Sequence, residues 1–256
     1  SYGLDQQGLG TARIAIGDNL LQKPYVSDIM RLNKSFVVKR SATGVREKMK
    51  AYMDLSSYID HSVHTGHNIW IAQREGRAKD GIDATDVAVM KMLYMSKKKS
   101  GQSYSDYINS LHIVPVSIAY EFDPCDTAKA CELAAVNSSG EYVKAQFEDM
   151  KSIVKGIIGN KGRVHVAFGK PLDGQFDTPE QIAEAIDASI AVNYQLQSTN
   201  IAAKAMVDGV EDTSTQFLEE RFNELSSDQR EYAIAMYANP VLRQAEFANS
   251  ANSAKA

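Results

Sequence analysis

Arg77 and Lys79 stand two residues apart in the run Glu75-Gly76-Arg77-Ala78-Lys79-Asp80-Gly81. Two cations in a glycine-containing turn can grip a phosphate or a carboxylate, Arg through its planar fork and Lys as a point charge. Glu75 beside them can orient a basic neighbour or a ligand hydroxyl, or it can close a salt bridge inside the turn. Lys39-Arg40 repeats the design earlier in the chain. Basic tips of this kind would hold a small anionic ligand so that another group on it is positioned for reaction. The plain alternative is a solvated charged loop.

The elements around these residues give them a common place. Ile69-Trp70-Ile71-Ala72 is an apolar run that predicts a buried strand ending in the first turn. Phe36 to Val38 predicts a shorter strand ending in Lys39-Arg40. Between them Val45, Met49, Tyr52, Met53, Ser56, Ile59 and Val63 recur at helical spacing and predict an amphipathic helix over Thr43 to Thr65. A strand, helix and strand in this order predict a βαβ unit with both basic tips at one edge, where open α/β sheets bind ligands.

Upstream, Thr11 to Ile16 reads as a strand, and Asp28 to Arg31 as part of a short helix after Pro24. Downstream, Asp83 or Thr85 would cap a helix through Val87, Met90, Met92, Leu93 and Met95. Lys97-Lys98-Lys99-Ser100-Gly101 is a basic loop, read first as solvated and otherwise as a contact for anionic headgroups or an acyl donor. His112 to Tyr120 is a strand in which Pro115 marks an edge or a start. Helices are expected over Asp126 to Val136 and Glu141 to Gly156, then a strand over Val164 to Phe168. Pro179 opens a helix through Ile182, Ile186, Ile190 and Leu196. Helical segments follow over Ile201 to Val207, Thr215 to Leu225 and Asp228 to Tyr237, without strand signal. The expected fold is α/β, a mostly parallel sheet with helices on both faces and a helical C-terminal extension. Its expected divisions are a core over 1–175, a helical region over 176–248 and a disordered tail over 249–256.

Composition narrows the function. At 256 residues and 44% hydrophobic, the chain can bury a core. A net charge of -4 argues against general nucleic-acid binding, so the basic tips read as a confined anion site. No apolar run approaches the roughly 18 residues of a membrane-spanning helix. Cys125 and Cys131 make no disulfide framework and predict reduced thiols in a cytosolic protein. His61 and His64 lie three apart on a helix, but no carboxylate or cysteine pattern completes a metal site. No Gly-x-Ser-x-Gly elbow suggests a serine hydrolase.

Four stretches in order carry a family resemblance over roughly residues 12–172. They are Phe36-Val37-Val38-Lys39-Arg40, Ile71-Ala72-Gln73-Arg74-Glu75-Gly76-Arg77, Ile113-Val114-Pro115-Val116-Ser117, and Arg163 to Leu172 with its Gly169-Lys170-Pro171-Leu172 turn. Together the chain resembles the glycerol-phosphate and lysophosphatidate acyltransferase superfamily, with Gln73-Arg74 where many members have Phe-Pro. The resemblance implies transfer of a fatty acyl group from an acyl thioester, on coenzyme A or acyl carrier protein, to glycerol 3-phosphate or a lysophosphatidate-type acceptor. It implies no bound cofactor, an acceptor phosphate held by Lys39, Arg40, Arg77 and Lys79, and an acceptor oriented by Glu75 and Gly76. It also implies a cytoplasmic protein of phospholipid biosynthesis with peripheral membrane contact.

One block of that family is missing. Its catalytic base comes from a His-x-x-x-x-Asp motif, and the residues five places after its five histidines are Gly66, Ile69, Ala72, Ser117 and Lys170. The expectation is a fragment that begins downstream of the motif, or a degenerate relative, and in either case an inactive chain. The contrasting reading is a non-catalytic phospho-ligand or lipid-surface binding module on the same scaffold.

Overall fold

A computed structural model of the protein describes residues 2–18, 24–39, 41–72, 78–146, 148–210 and 213–253. The fold is mixed α/β, and the chain forms two compact units, each assembled from three segments. Ser1–Glu75, Thr85–Ile113 and Pro171–Glu184 make the first; Gly76–Ala84, Val114–Lys170 and Ala185–Ala256 make the second. This interleaving differs from the expected division at residue 175.

In the first unit a short helix α1 (Tyr2–Gln6) leads into β1 (Arg13–Gly17). Then follow α2 (Pro24–Leu32), β2 (Ser35–Val38), α3 (Val45–His64) and β3 (Ile69–Trp70). β1 is central, with β2 on one side and β3 on the other, and both pairings are parallel. Ile14 pairs with Ser35 and Gly17 with Val38, while Arg13 and Ile14 pair with Ile69 and Trp70.

The end of α3 is set by local chemistry. Thr65 Oγ1 donates to the His61 carbonyl at 2.7 Å, and Gly66 takes a left-handed φ of 81° that turns the chain towards β3. Ser56, Ile59 and Ser62 of α3 are buried. Val45, Met49, Tyr52 and Met53, expected on the same buried stripe, are exposed. The reason is length: a helix of 20 residues is about 30 Å long, nearly twice the roughly 16 Å of the longest strand of this sheet, so its first turns overhang.

Asp86, rather than Asp83 or Thr85, caps α4 (Val87–Leu93), accepting from the Ala88 N–H at 2.8 Å. Met90 and Met92 are core residues, as are Tyr107 and Ile108 of α5 (Tyr104–Ser110).

In the second unit β4 (Val116–Tyr120) starts directly after Pro115. It leads to α6 (Asp126–Ser139), α7 (Glu148–Ile158) and β5 (Val164–Phe168). β4 and β5 pair with each other, antiparallel, with Ile118 opposite Val166. The parallel sheet is therefore confined to three strands, and the fourth and fifth strands form a separate ribbon. α8 (Pro179–Asn193), divided between the units after Glu184, ends before Leu196. After it come α9 (Ser198–Val207), α10 (Gln216–Arg221) and α11 (Ser227–Ser253). α11 runs through Pro240 and continues to Ser253, so residues 249–253, expected to be disordered, are helical.

The core of this unit is helical: Ala130, Ala202, Ala203, Leu218, Phe222, Ala233, Met236 and Tyr237 pack together. A polar network runs through it. Asp126, 1% exposed, accepts from Arg221 Nε at 2.6 Å and from the Tyr237 hydroxyl at 2.8 Å. The Tyr237 hydroxyl in turn accepts from the Asp123 N–H at 2.8 Å. Burial, reinforced by the Asp126 carboxylate, pushes the Tyr237 phenol far above its ordinary pKa. α6, α10 and α11 are thus tied by one buried carboxylate.

Candidate functional site

The order β2-β1-β3 with all strands parallel points β2 and β3 the same way on either side of β1, but Ile14 pairs with both Ser35 and Trp70, so β3 ends level with the start of β2. Two strand spacings across and three residues along put the ends of β2 and β3 about 14 Å apart. Order reverses at β1, since the chain steps from β1 to β2 and then crosses back to β3. Such a reversal opens a crevice outside the carboxyl ends of the strands, where ligands of open α/β sheets bind. Of the expected juxtaposition of two basic tips, the parallel direction of the two strands is present; the β3 end stands three residues short of the β2 end.

Described residues at this edge are few and polar. Asp18 follows β1, and its carboxylate accepts from the Ser41 hydroxyl at 2.5 Å and the Ser41 N–H at 3.2 Å. That pair fastens the loop after β2 to the loop after β1. Lys39, between β2 and Ser41, is exposed and has no ion-pair partner among the described residues. Ala42, just beyond, is buried. Arg40, Glu75, Gly76 and Arg77 lie outside the described residues.

Lys79 is placed differently from Lys39. It belongs to the second unit, where its ammonium pairs with Glu132 of α6. The residues after it are equally committed. The Asp80 carbonyl accepts from Asn239 Nδ2 at 2.6 Å. Gly81, at φ 76°, stands so close to α11 that a Cβ would lie 2.1 Å from the Met236 carbonyl oxygen. That oxygen is the one Pro240 cannot bond, because proline has no N–H for the carbonyl four residues back. The second half of the charged turn is therefore an anchor: glycine and proline together let it dock on α11. An anion at Lys79 would have to displace the Glu132 carboxylate.

The acid–base chemistry lies elsewhere. His64 Nδ1 faces Asp60 Oδ1 at 3.2 Å and the Asp60 carbonyl at 2.8 Å, and Lys97 Nζ meets the other carboxylate oxygen at 2.9 Å. The sequence signal for this pair is Asp60 four residues before His64 on one helical face, the reverse of the order sought in the His-x-x-x-x-Asp motif. It sits at the end of α3, beside the start of β3, whereas Lys39 lies past the end of β2, whose Val38 pairs with Gly17 at the far end of β1. The length of β1 separates them by roughly 13 Å, far beyond the reach of a base that must touch its proton. Among the described residues no group of three His, Cys, Asp or Glu side chains could hold a metal ion. His61, His64 and His67 do not converge.

The second unit has a small depression of about 50 Å³, lined by Gly81, Ile118, Asp187, Tyr194, Pro240 and Arg243. It has room for a water or two, not for a phosphorylated glycerol. Cys125 and Cys131 are free thiols. No helix among the described residues is long and apolar enough to cross a membrane. No family model and no curated protein matches the chain.

Proposed function

We propose that this chain carries the acceptor site of an O-acyltransferase. The enzyme would move a fatty acyl group from an acyl thioester, on coenzyme A or acyl carrier protein, to glycerol 3-phosphate or a lysophosphatidate-type acceptor. The observation that supports the reading is the parallel order β2-β1-β3, which directs the Lys39 tip and the chain leaving β3 towards the same side of the sheet. In this reading Lys39, Arg40 and Arg77 hold the phosphate, and Glu75 and Gly76 orient the acceptor. Lys79 takes part only by leaving Glu132. The finer fold belongs to the same reading: right-handed crossovers running in opposite lateral directions, β1 to β2 and then β2 back across to β3, would cover both faces of the sheet.

Acyl transfer removes a proton from the acceptor hydroxyl as its oxygen attacks the thioester carbonyl; the thiolate then leaves and takes up a proton. Anchoring the phosphate supplies positioning for that attack, a large share of what such a reaction needs. The described rim holds no histidine, so the chain binds and orients, and turnover by residues 1–256 alone is not expected. That same lack favours the second reading, a non-catalytic phospho-ligand module. Both describe a cytoplasmic protein with peripheral membrane contact.

The test is calorimetric titration with glycerol 3-phosphate of the wild type and of Lys39→Ala, Arg77→Ala and Lys98→Ala. Binding weakened by the first two substitutions and kept in the third supports the acceptor site. Equal effects from Arg77→Ala and Lys98→Ala, or no binding by the wild type, would sink it.

A further inference from the structure

Helix α7 is amphipathic with its apolar side outward. Ile157 is 72% exposed and Ile158 78%, and Ile153 and Val154 are exposed with them. At 100° per residue these four fall on one arc of the helix. The positions opposite, Ser152 and Gly156, are partly buried. The helix meets its unit through small groups: Cys125 Sγ lies 3.5 Å from the Ser152 carbonyl, and Gly159, just after the helix, abuts Pro124. An 11-residue helix with so little packing would be marginal alone in water.

Its ends are nonetheless built. Glu148 accepts from the Ala145 N–H at 2.8 Å in front of the first turn. Lys161 Nζ donates to the Ile157 and Gly159 carbonyls at 3.1 and 3.0 Å behind the last. The helix is thus held in place while its apolar face meets solvent.

Charge says what covers that face. Lys151 and Lys155, one turn apart, border the apolar arc on one side, and both are exposed and unpaired among the described residues. Over residues 144–170 there are five Lys and one Arg against one Glu and one Asp, a local charge of +4 in a chain of net charge -4. A second protein copy, acidic overall and carrying the same basic patch, is a poor electrostatic partner for it. A bilayer of anionic lipid satisfies both features, taking the isoleucines into its acyl boundary and the lysines among its headgroups.

We infer that α7 is a lipid-docking helix that seats the second unit on an anionic membrane surface through Ile153, Val154, Ile157 and Ile158, with Lys151 and Lys155 at the headgroups. The inference extends the membrane element of the proposed function and is independent of its acceptor site.

The experiment is co-sedimentation of the full chain with phosphatidylcholine vesicles and with equimolar phosphatidylcholine–phosphatidylglycerol vesicles. Wild type binds the anionic vesicles and releases them in 1 M salt, where screening shortens to about 3 Å. Ile157→Ser with Ile158→Ser weakens binding by about tenfold per residue. Lys151→Ala with Lys155→Ala weakens it by about fivefold per residue. Both pairs keep the wild-type melting curve, since neither is in the core, and both keep glycerol 3-phosphate binding, which separates this result from the acceptor test. Vesicle binding unchanged by the isoleucine pair, binding indifferent to lipid charge, or no binding would overturn the inference. So would a dimer in light scattering that the isoleucine pair dissociates.

Discussion

Asp126→Asn should unfold the second unit at markedly lower denaturant. The carboxylate is buried, and it answers both the Arg221 guanidinium and the Tyr237 hydroxyl. Asparagine keeps the shape, removes the charge and leaves Arg221 facing a neutral amide. Breaking a buried pair from one side costs about 3–5 kcal/mol. The Arg221 side chain is 33% exposed, so water compensates part of that loss, and about 3 kcal/mol is the expected cost. Tyr237→Phe removes one donor to Asp126 and the acceptor of the Asp123 N–H, for about 2 kcal/mol. Because both changes strike one network, the double variant should cost less than the sum by about 1–2 kcal/mol. Urea unfolding followed by far-ultraviolet circular dichroism measures all three, with Trp70, the single tryptophan, reporting on the first unit. Costs additive to within about 0.5 kcal/mol, or an Asp126→Asn variant as stable as wild type, would refute the network.

Gly81→Ala should destabilise by more than the roughly 1–2 kcal/mol of a left-handed alanine, because its Cβ also meets the Met236 carbonyl. A melting temperature equal to wild type would show that the turn does not dock on α11. On the alkaline side, burial first and the Glu180 charge second raise Tyr104 from 10.0 to about 12, and burial also raises Tyr107 and Tyr237. A tyrosine whose folded pKa is raised contributes stability in full below its unfolded value and loses it as pH rises through the folded one. Stability should therefore fall from about pH 10 upward, with the last part of the tyrosinate absorbance appearing together with loss of helix; complete tyrosinate absorbance near pH 10 in a still-folded chain would contradict this.

The strands were legible where type and punctuation agreed. Phe36 to Val38 and Val164 to Phe168 fall within a residue of their observed limits, and Pro115 marked the start of β4. Partnership was not legible: β4 and β5 carry alternating apolar residues that fit a sheet of either sense, and only the folded pairing makes them a separate antiparallel ribbon. α11 was cut short at Tyr237 because proline and a run of Asn, Ser and Ala signal an end. The helix continues past Pro240, which leaves the Met236 carbonyl free to meet Gly81. For the candidate site, the parallel direction of β2 and β3 followed from strand, helix and strand, whereas the register that ends β3 level with Ser35 did not. The capture of Lys79 by Glu132 could not be read, because the two are 53 residues apart in sequence.

The interleaving of the two units sets a timetable. As the chain leaves the ribosome, the three-stranded sheet is complete early, but its unit must wait for Pro171–Glu184, which emerges only after Val114–Lys170 has been made for the other unit. Neither unit can finish before the other has begun. Chain-closure entropy grows only slowly with the length bridged, so the delay is one of time more than of free energy. A single cut after Ala84, Ile113 or Lys170 would divide both units, and the two pieces could regain the fold only by finding each other.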